Sequence, residues 1–497
     1  MVQAGTNTAI GLVGYLLIVA AIGYWGSRRV DSEEDFYLGG DQLPGWALAL
    51  SERSSAMSGW LLLGMPGLAW SVGLSAVWVL AGSAIGAIVQ WIFYSRPFME
   101  GRKETGAVTP TGLLAEKFPG DTPVLRLLPA LITFVFYMGY VGSQFLAGGK
   151  ILQQVFGIAP RTGLVIIAGL IIAYSLAGGF LAVVWTDALQ ALLMVFTLVI
   201  LPITLFAQVA ADPSFSLMGR LAASGGNRAS WFGGTSGAAV LVLLGANLSW
   251  FFTYLGGYPH LAARMMALRD EKDRRLGVVI ASFWTVLAAS GAVLIGLLAR
   301  ALYGAPQALQ ADREMVLPFM ILNNMPALLG GVLLAGALAA MMSTADSQLV
   351  VASSAAAQDV YNKVIAKERE FSEKVRLRIS RIATLFVGAA GLAIALTAED
   401  LVYMLVSYSG TGLFSAFGPA FTLLFFWRDN VSKAGIICAL IVGPAATIAW
   451  ISLGMTSIVT VRLVAPPLGF AAGIIGSLVW PPDGPTERPV SASTAQD

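Results

Sequence analysis

The residues of this chain most able to bind a small polar molecule lie in an otherwise apolar stretch, 51–66, which reads SERSSAMSGWLLLGMP. Ser58 and Gly59 stand at its middle, and the charged Glu52 and Arg53 precede them. The surrounding residues are apolar enough for a helix that crosses a bilayer, where lipid offers no hydrogen-bond partners. A helix that breaks at that depth must turn its freed backbone groups toward protein or a water-filled cavity. The stretch therefore predicts a broken transmembrane helix at a binding site.

The composition predicts a membrane protein with many spans. Of 497 residues, 57% are hydrophobic and 12% are charged, whereas roughly 25% of an average soluble domain is charged. At roughly 20 apolar residues per span, we predict an all-α fold with about thirteen transmembrane helices. These are expected near residues 8–27, 44–71, 75–95, 125–153, 160–180, 183–208, 236–258, 277–303, 327–357, 381–398, 400–427, 433–454 and 461–480.

Ten of these helices, here called core spans 1 to 10, fall into two halves. Setting aside the first helix and the last two, core spans 1 to 5 end near residue 208 and core spans 6 to 10 begin at residue 236. Because five is odd, the two halves enter the membrane from opposite sides. Core span 1 is interrupted at Ser58 and Gly59, and core span 6 at Gly256 and Gly257. Paired interruptions at matching positions predict an inverted-repeat transporter with its substrate near the bilayer centre.

The distribution of basic residues predicts the orientation. With the N-terminus outside and the C-terminus inside, lysines and arginines on the cytoplasmic side outnumber those outside by about three to one. The first apolar run has no basic residue before it, so we predict a retained helix rather than a signal peptide. The predicted units are an N-terminal helix within 1–30, a first repeat at 43–209, an extracytoplasmic loop at 210–235, a second repeat at 236–428, two C-terminal helices within 433–480 and a cytoplasmic tail at 481–497.

Several short motifs together resemble one family, the sodium/solute symporters, and within it the sodium/proline symporters of bacteria. They are DFYLGG at 35–40, MSGWLL at 57–62, GGFLA at 178–182, WTD at 185–187, PH at 259–260, AR at 263–264, MST at 342–344 and FGP at 417–419. The resemblance implies the inverted 5+5 repeat with broken helices of the leucine-transporter type, with one added helix before the core and two after it. It also implies sodium-driven uptake of a small amino acid across the bacterial cytoplasmic (inner) membrane by alternating access, with L-proline as the favoured solute.

The resemblance implies a sodium site between core spans 1 and 8. Its ligands would be the backbone carbonyls of Ser54, Met57 and Ala340 and the hydroxyls of Ser343 and Thr344. Any residue can supply a carbonyl, so only the two hydroxyls test the match. Both hydroxyls could instead hydrogen-bond to the preceding helical turn, as serine and threonine commonly do in membrane helices. One position departs from the family, because Ala56 stands where the proline symporters carry an aspartate on which sodium binding is thought to depend.

Two aspartates predict a second cation or proton site. Asp187 is expected near the cytoplasmic end of core span 5, and Asp346 follows Ser343 by three residues, on nearly the same helix face. An ionisable group inside a membrane costs about 2.5 to 3.5 kcal/mol on insertion scales and is a functional hypothesis by default. Some relatives build such a site from the aspartate of core span 5 and hydroxyls of core span 8, which here include Ser347. The alternative is a salt bridge that closes the inner side.

Glu52 and Arg53 lie about one turn before the break in core span 1 and are candidates for a gate. Three interpretations stay open. Arg53 pairs with Glu52, Asp187 or Asp346, or it stands in for the sodium ion, or a buried carboxylate carries a proton instead.

The break also predicts the substrate site. Backbone N–H groups from Gly59 onward can face a carboxylate, because the second half-helix begins there with its positive dipole end. Aromatic rings would enclose the apolar part of the ligand, and proline fits because its ring stacks on aromatic faces. The predicted substrate-binding residues are Ser58, Gly59, Trp60, Tyr140, Trp250 and Tyr254. The last two match the family only if one residue is inserted before Pro259; without the insertion, Phe251 and Leu255 take their places.

Other functions are less consistent with the residue types. An enzyme would need a nucleophile with a base, or a metal cluster, and one histidine with two membrane aspartates does not supply either. Nucleic acid is not expected as a partner, because the basic residues are scattered and the net charge is +2. The alternatives that stay open are a proton-coupled or cation-independent carrier of another small amino acid or a monocarboxylate, and a transport-inactive membrane sensor. The expected partners are proline, sodium and the lipid bilayer, and the chain is expected to act as a monomer.

Overall fold

A computed structural model describes residues 6–30, 32–39, 42–118, 123–210, 212–366, 371–397 and 402–482. Across these residues every regular element is a helix, as predicted. Gly40 of the DFYLGG motif and most of the predicted tail, from residue 483 onward, lie outside the described residues.

The helices follow the predicted order. In the first repeat, core span 1 is Gly45–Gly59 and Met65–Val72, joined by the π-helical turn Trp60–Gly64; core span 2 is Val77–Val89 and Ser95–Thr105, joined by the π-helical turn Gln90–Tyr94; core span 3 is Pro123–Phe156; core spans 4 and 5 lie in Pro160–Val209. In the second repeat, core span 6 is Ala238–Leu248, the 3-10 turn Ser249–Tyr254 and Pro259–Met266; core span 7 is Glu271–Tyr303; core span 8 is Ala327–Ser354 with the π-helical extension Ala355–Ile365; core span 9 is Glu373–Thr397; core span 10 is Val402–Phe426.

Three long helices flank the core: Thr6–Ser27 comes before it, and Lys433–Ser452 and Ala465–Val479 come after it. Short elements connect the longer helices. The short helices are Glu33–Leu38, Pro110–Glu116, Leu217–Ala223, Gln307–Ala311 and Val316–Asn324, and the 3-10 turns are Gly73–Ala76, Arg313–Met315, Met455–Ser457 and Val461–Leu463. The predicted extracytoplasmic loop therefore contains one short helix, Leu217–Ala223.

Ten helices in the described part of the chain are long and apolar enough to cross a membrane, or eleven if Ala238–Tyr254 and Pro259–Met266 form one bent span. Two of these, Gly45–Thr105 with 61 residues and Pro160–Val209 with 50 residues, are far too long for a single crossing. At about 1.5 Å per residue they would extend roughly 90 and 75 Å, against a hydrocarbon core of about 30 Å. Each must turn back, but the count of thirteen spans stays a prediction.

Glycine makes the turn between core spans 4 and 5 possible. Gly179 has φ 53° and ψ −155°, in the middle of Pro160–Val209, a conformation that side-chain-bearing residues rarely adopt. A Cβ atom at Gly179 would lie 2.7 Å from the backbone oxygen of Phe36. The short helix Glu33–Leu38 therefore packs directly against the turn, and glycine is required there for both conformation and space.

Both predicted helix breaks are present. Ser58 has φ 47° and ψ −174° inside core span 1, which interrupts the helix at the predicted position. Gly256 has φ 72°, and the two helical parts of core span 6 meet at 44°. The fold is thus an all-helical arrangement whose two halves each begin with a broken helix.

Core span 8 lies at the centre of this arrangement. Every residue from 333 to 354 is buried, and the helix packs against core spans 1, 3 and 5 and against the N-terminal helix. Close approach is possible because the contacts involve small residues, as is usual between membrane helices; a Cβ at Gly336, for example, would lie 2.8 Å from the backbone oxygen of Leu193. The serine, threonine and aspartate side chains of core span 8 are therefore held at the middle of the protein, opposite the break in core span 1.

Candidate functional site

The break in core span 1 is stabilised by side chains at and near it. A non-glycine residue in the conformation of Ser58 costs on the order of 1 to 3 kcal/mol. The Ser58 hydroxyl offsets part of this cost by accepting from the Trp60 N–H at 3.1 Å and from the Tyr140 hydroxyl at 3.4 Å. The Gly59 N–H, which the sequence suggests is free for substrate, donates to the Gln144 side-chain oxygen at 2.9 Å. Core span 3 thus supports the break through Tyr140 and Gln144.

Aromatic side chains from both broken helices meet beside these breaks. The rings of Trp60 and Trp250 lie 4.6 Å apart and are tilted by 38°, and each residue is only 4% exposed. The Tyr254 hydroxyl lies 3.8 Å from the Met57 sulfur and accepts from Ser83 at 3.3 Å. The six predicted substrate residues therefore lie around one buried region, and the position of Trp250 against Trp60 agrees with the alignment that inserts one residue before Pro259.

The predicted sodium ligands lie where core spans 1 and 8 face each other. The Thr344 hydroxyl donates to the Ser55 carbonyl of core span 1 at 2.9 Å and also to the Ala340 carbonyl at 2.9 Å. The Ser343 hydroxyl donates to the Ala340 carbonyl at 3.2 Å. Ser54 and Met57 are also fully buried. The hydroxyls thus back-bond within their helix, as the alternative interpretation expects, while Thr344 in addition bridges the two spans that would share the ion.

Asp187 is the centre of a buried ionic cluster. Its Oδ2 atom accepts from the hydroxyls of Ser51 at 2.7 Å and Ser55 at 3.0 Å and from Ser347 at 3.3 Å. The same oxygen forms a salt bridge with the Arg264 guanidinium at 3.1 Å, with both side chains fully buried. The cluster joins core spans 1, 5, 6 and 8.

Arg264 connects core span 6 to this cluster. It donates to the Ser51 hydroxyl at 3.1 Å, to the His260 carbonyl at 2.8 Å and, through a short contact, to the Ser347 hydroxyl. Its guanidinium also lies 4.9 Å from the centre of the Phe180 ring. The side chain thereby links the end of core span 6 to three other core spans.

Asp346 lies beside this cluster and contacts neutral groups. Its Oδ2 atom accepts from the Tyr174 hydroxyl at 2.6 Å and its Oδ1 atom from the Ser347 hydroxyl at 3.2 Å. Within the described residues the Asp187 Oδ1 atom is buried without a hydrogen-bond partner. Together with Asp346, the cluster holds two carboxylates and one guanidinium, which leaves one negative charge if both carboxylates are ionised.

Arg53 pairs with Glu52 rather than with either aspartate. The two side chains form a doubly hydrogen-bonded ion pair with no solvent exposure. Glu52 also accepts from the Trp91 indole at 2.6 Å, and Arg53 donates to the Thr285 hydroxyl at 3.1 Å. These partners lie on core spans 1, 2 and 7. Within the described part of the chain, neither side chain forms a hydrogen bond or ion pair with Asp187 or Asp346.

Three residues of the site have no assigned role in the sequence-based prediction. Gln144 and Tyr174 are polar residues inside apolar helices, a pattern that many structural side chains share. Arg264 belongs to the AR motif at 263–264, but it follows the predicted end of core span 6 at residue 258. It was therefore counted among the cytoplasmic charges that predict the orientation. Its place in a motif was the one available signal.

Comparison with known proteins gives consistent similarities along nearly the whole chain. The profile of a family described as the Sodium:solute symporter family matches residues 36–443. The chain is 33% identical to the high-affinity proline transporter PutP of Bacillus subtilis (strain 168), covering 91% of this chain and 93% of that protein. It is 31% identical to the osmoregulated proline transporter OpuE of the same strain, covering 97% and 96%, and 31% identical to the sodium/proline symporter of Staphylococcus aureus (strain JH9), covering 91% and 87%.

Solved structures show the same fold at lower sequence identity. A Na⁺-coupled sialic acid symporter in a substrate-bound outward-open state superposes with a TM-score of 0.76 at 20% identity, covering 96% of this chain and 99% of that one. The transporter Mhp1 of the nucleobase-cation-symport-1 family, in a closed conformation, gives 0.53 at 12% identity, covering 91% and 95%. The predicted leucine-transporter-type fold is thereby confirmed.

Proposed function

Because this chain belongs to the Sodium:solute symporter family, as its motifs predicted, and uses sodium as its coupling ion, we propose that it takes up L-proline together with sodium by alternating access. The observation that carries this proposal is its similarity, over at least 90% of its length, to relatives whose names give proline as the solute. We further propose that it acts as a monomer in the bacterial cytoplasmic membrane, with the N-terminus outside, the C-terminus inside and the two repeats at 43–209 and 236–428.

The proposed proline site lies beside the two breaks. Trp60, Trp250 and Tyr140 supply aromatic faces for the pyrrolidine ring. Within the described residues the buried Trp60 indole N–H has no hydrogen-bond acceptor, which makes it a suitable donor for the carboxylate. The Ser58 oxygen already accepts from the Trp60 N–H and the Tyr140 hydroxyl, so its own O–H is the group that can donate to the proline carboxylate. Because Gln144 already holds the Gly59 N–H, we assign the carboxylate to side-chain donors first.

The proposed sodium site lies between Ser54 and Met57 of core span 1 and Ala340, Ser343 and Thr344 of core span 8. The support is the contact of the Thr344 hydroxyl with the Ser55 carbonyl, since one side chain touches oxygens of both spans. An ion at this place would join the two halves of the protein. Sodium binding and the packing of core span 1 on core span 8 are then coupled.

The proposed second cation or proton site comprises Asp187, Asp346 and Ser347. The presence of two carboxylates beside one guanidinium supports it, as does the Asp187 Oδ1 atom that has no hydrogen-bond partner within the described residues, because a buried charge without a counterion is costly.

The proposed inner gate is the Asp187 and Arg264 salt bridge. This pair connects core spans 5 and 6, and hydroxyls of core spans 1 and 8 surround it. The Glu52 and Arg53 pair lies among core spans 1, 2 and 7, and we propose that it stabilises their mutual packing instead.

Uptake of radiolabelled proline into proteoliposomes, under sodium and proton gradients imposed separately, tests the function. We expect an inward sodium gradient to drive accumulation and a proton gradient alone to give none. Uptake that follows only the proton gradient would refute sodium coupling and would point to the missing aspartate at Ala56 as the cause. Uptake of another amino acid or a monocarboxylate that proline does not inhibit would refute the proposed solute. Proline binding without uptake under either gradient would instead support a transport-inactive sensor.

A further inference from the structure

An arginine from outside the ten-span core contacts the aromatic region of the site. Arg462 lies in the 3-10 turn Val461–Leu463, between the two C-terminal helices. Its guanidinium is centred 4.3 Å from the Trp250 ring, and its Nη1 atom donates to the Ser407 hydroxyl of core span 10 at 2.6 Å. The residue is only 8% exposed, so solvent screens this cation–aromatic contact little.

Trp250 lies between this guanidinium and Trp60. It belongs to the 3-10 turn Ser249–Tyr254, which precedes the break in core span 6, and its ring packs on Trp60 of core span 1 at 4.6 Å. A second guanidinium, that of Arg53, lies 5.5 Å from the Tyr254 ring at the other end of the same turn. The turn therefore has a cation at each end, and only Arg462 comes from an added helix pair.

We propose that Arg462 is a positioning residue for closure of the substrate site on its outer side. It holds Trp250 against Trp60, so that the C-terminal helix pair takes part in the transport cycle although the ten-span core does not include it. Opening the site outward requires Trp250 to leave Trp60, and Arg462 opposes that movement through the ring contact and through Ser407. The proposal rests on the proposed function in placing substrate beside Trp60, but it concerns closure rather than the identity of the solute.

The test measures access to the site from outside. Ser83 of core span 2 hydrogen-bonds to the Tyr254 hydroxyl, so Ser83→Cys in a Cys438→Ala background places a thiol beside Tyr254. Tyr254 follows Trp250 in core span 6, which puts the thiol farther from the proposed outer side than Trp250. A membrane-impermeant methanethiosulfonate reagent is added to right-side-out proteoliposomes of the full chain, and the rate of thiol modification is followed with and without proline. We expect Arg462→Gln to raise the rate by about 3- to 30-fold, the range expected for loss of a desolvated cation–π contact. Arg462→Lys keeps a cation over the ring and should stay within about 3-fold of the parent.

Arg300 gives a matched control. Its guanidinium lies 5.1 Å from the Trp70 ring and the residue is 9% exposed, so Arg300→Gln removes a similar contact that does not involve Trp60 or Trp250. We expect no change in the modification rate for this variant. Ser407→Ala, which removes only the hydrogen bond to Arg462, should raise the rate less than Arg462→Gln does, and it serves as a second variant if Arg462→Gln fails to fold.

The outcomes separate this inference from the proposed function. An unchanged rate in Arg462→Gln and Ser407→Ala, or an equal rise in Arg300→Gln, would overturn the role of Arg462 even if proline protects the thiol. A faster rate in Arg462→Gln with no protection by proline in any variant would support the role of Arg462 while refuting proline as the solute.

Discussion

Replacing Arg264 by glutamine tests the buried ion pair that we propose as the inner gate. The guanidinium contacts Asp187 at 3.1 Å, the His260 carbonyl at 2.8 Å and the Ser51 hydroxyl at 3.1 Å, and it is fully buried. In the variant Asp187 keeps its hydroxyl donors but loses its counterion. Breaking a buried pair by removing one partner costs about 3 to 5 kcal/mol, because it leaves an uncompensated charge. We expect the free energy of unfolding to fall by that amount.

Adding Asp187→Asn to Arg264→Gln removes the uncompensated charge. The double variant should therefore be more stable than the sum of the two single effects predicts, with a coupling energy of about 2 to 3 kcal/mol. The measurement is a denaturant titration in detergent micelles, followed by tryptophan fluorescence, for the parent, both single variants and the double variant.

Arg274→Gln is the matched control for this cycle. Its pair with Glu271 is partly exposed, with side chains 15% and 42% accessible, so its loss should cost less than about 1 kcal/mol. If the Asp187 and Arg264 effects add within about 0.5 kcal/mol, or if Arg264→Gln is as mild as Arg274→Gln, the two charges are not energetically coupled and the gate assignment is wrong.

Two further predictions concern sodium. Ser343→Ala combined with Thr344→Ala should raise the sodium concentration for half-maximal uptake by about 100-fold, because the sodium ion loses two oxygen ligands. The control is Ser353→Ala with Ser354→Ala, which removes two buried hydroxyls farther along the same helix and should leave that concentration unchanged. Equal effects of the two pairs would refute the site. Ala56→Asp should lower the half-maximal sodium concentration by about 5- to 10-fold, since it adds a carboxylate beside the proposed ligands, and an unchanged value would make the missing aspartate irrelevant to coupling.

Much of the fold could be predicted from residue types and spacing. The breaks at Ser58 and Gly256 were visible because small and polar residues interrupt apolar runs at matching places in the two halves. The sequence also separates core spans 4 and 5 at residues 180–183, next to the turn at Gly179 that interrupts the helical stretch of 50 residues. The exact number of crossings stays a prediction, because composition and length alone do not say where each long helix turns back.

The site was predicted unevenly. The hydroxyls and the aspartate of core span 8 were found because polar groups in an apolar helix are conspicuous. The partner of Asp187 was not, because Arg264 follows it by 77 residues and its position at the end of a span is typical of an orientation-setting charge. Arg53 was predicted to precede the break in core span 1, as it does in the structure, but three carboxylates were open to it. Only the packing of core spans 1, 2 and 7 directs it to Glu52.

The Glu52 and Arg53 pair has a consequence for the electrical behaviour of the transporter. Each elementary charge that crosses the membrane field contributes about 2.3 kcal/mol per 100 mV. Since the two opposite charges are neighbours on one helix and contact each other directly, a shift of core span 1 displaces both together and moves no net charge. When the pair moves as a unit, membrane voltage therefore does far less work on it than on a single charge, and its displacement carries no net charge into the current that accompanies uptake.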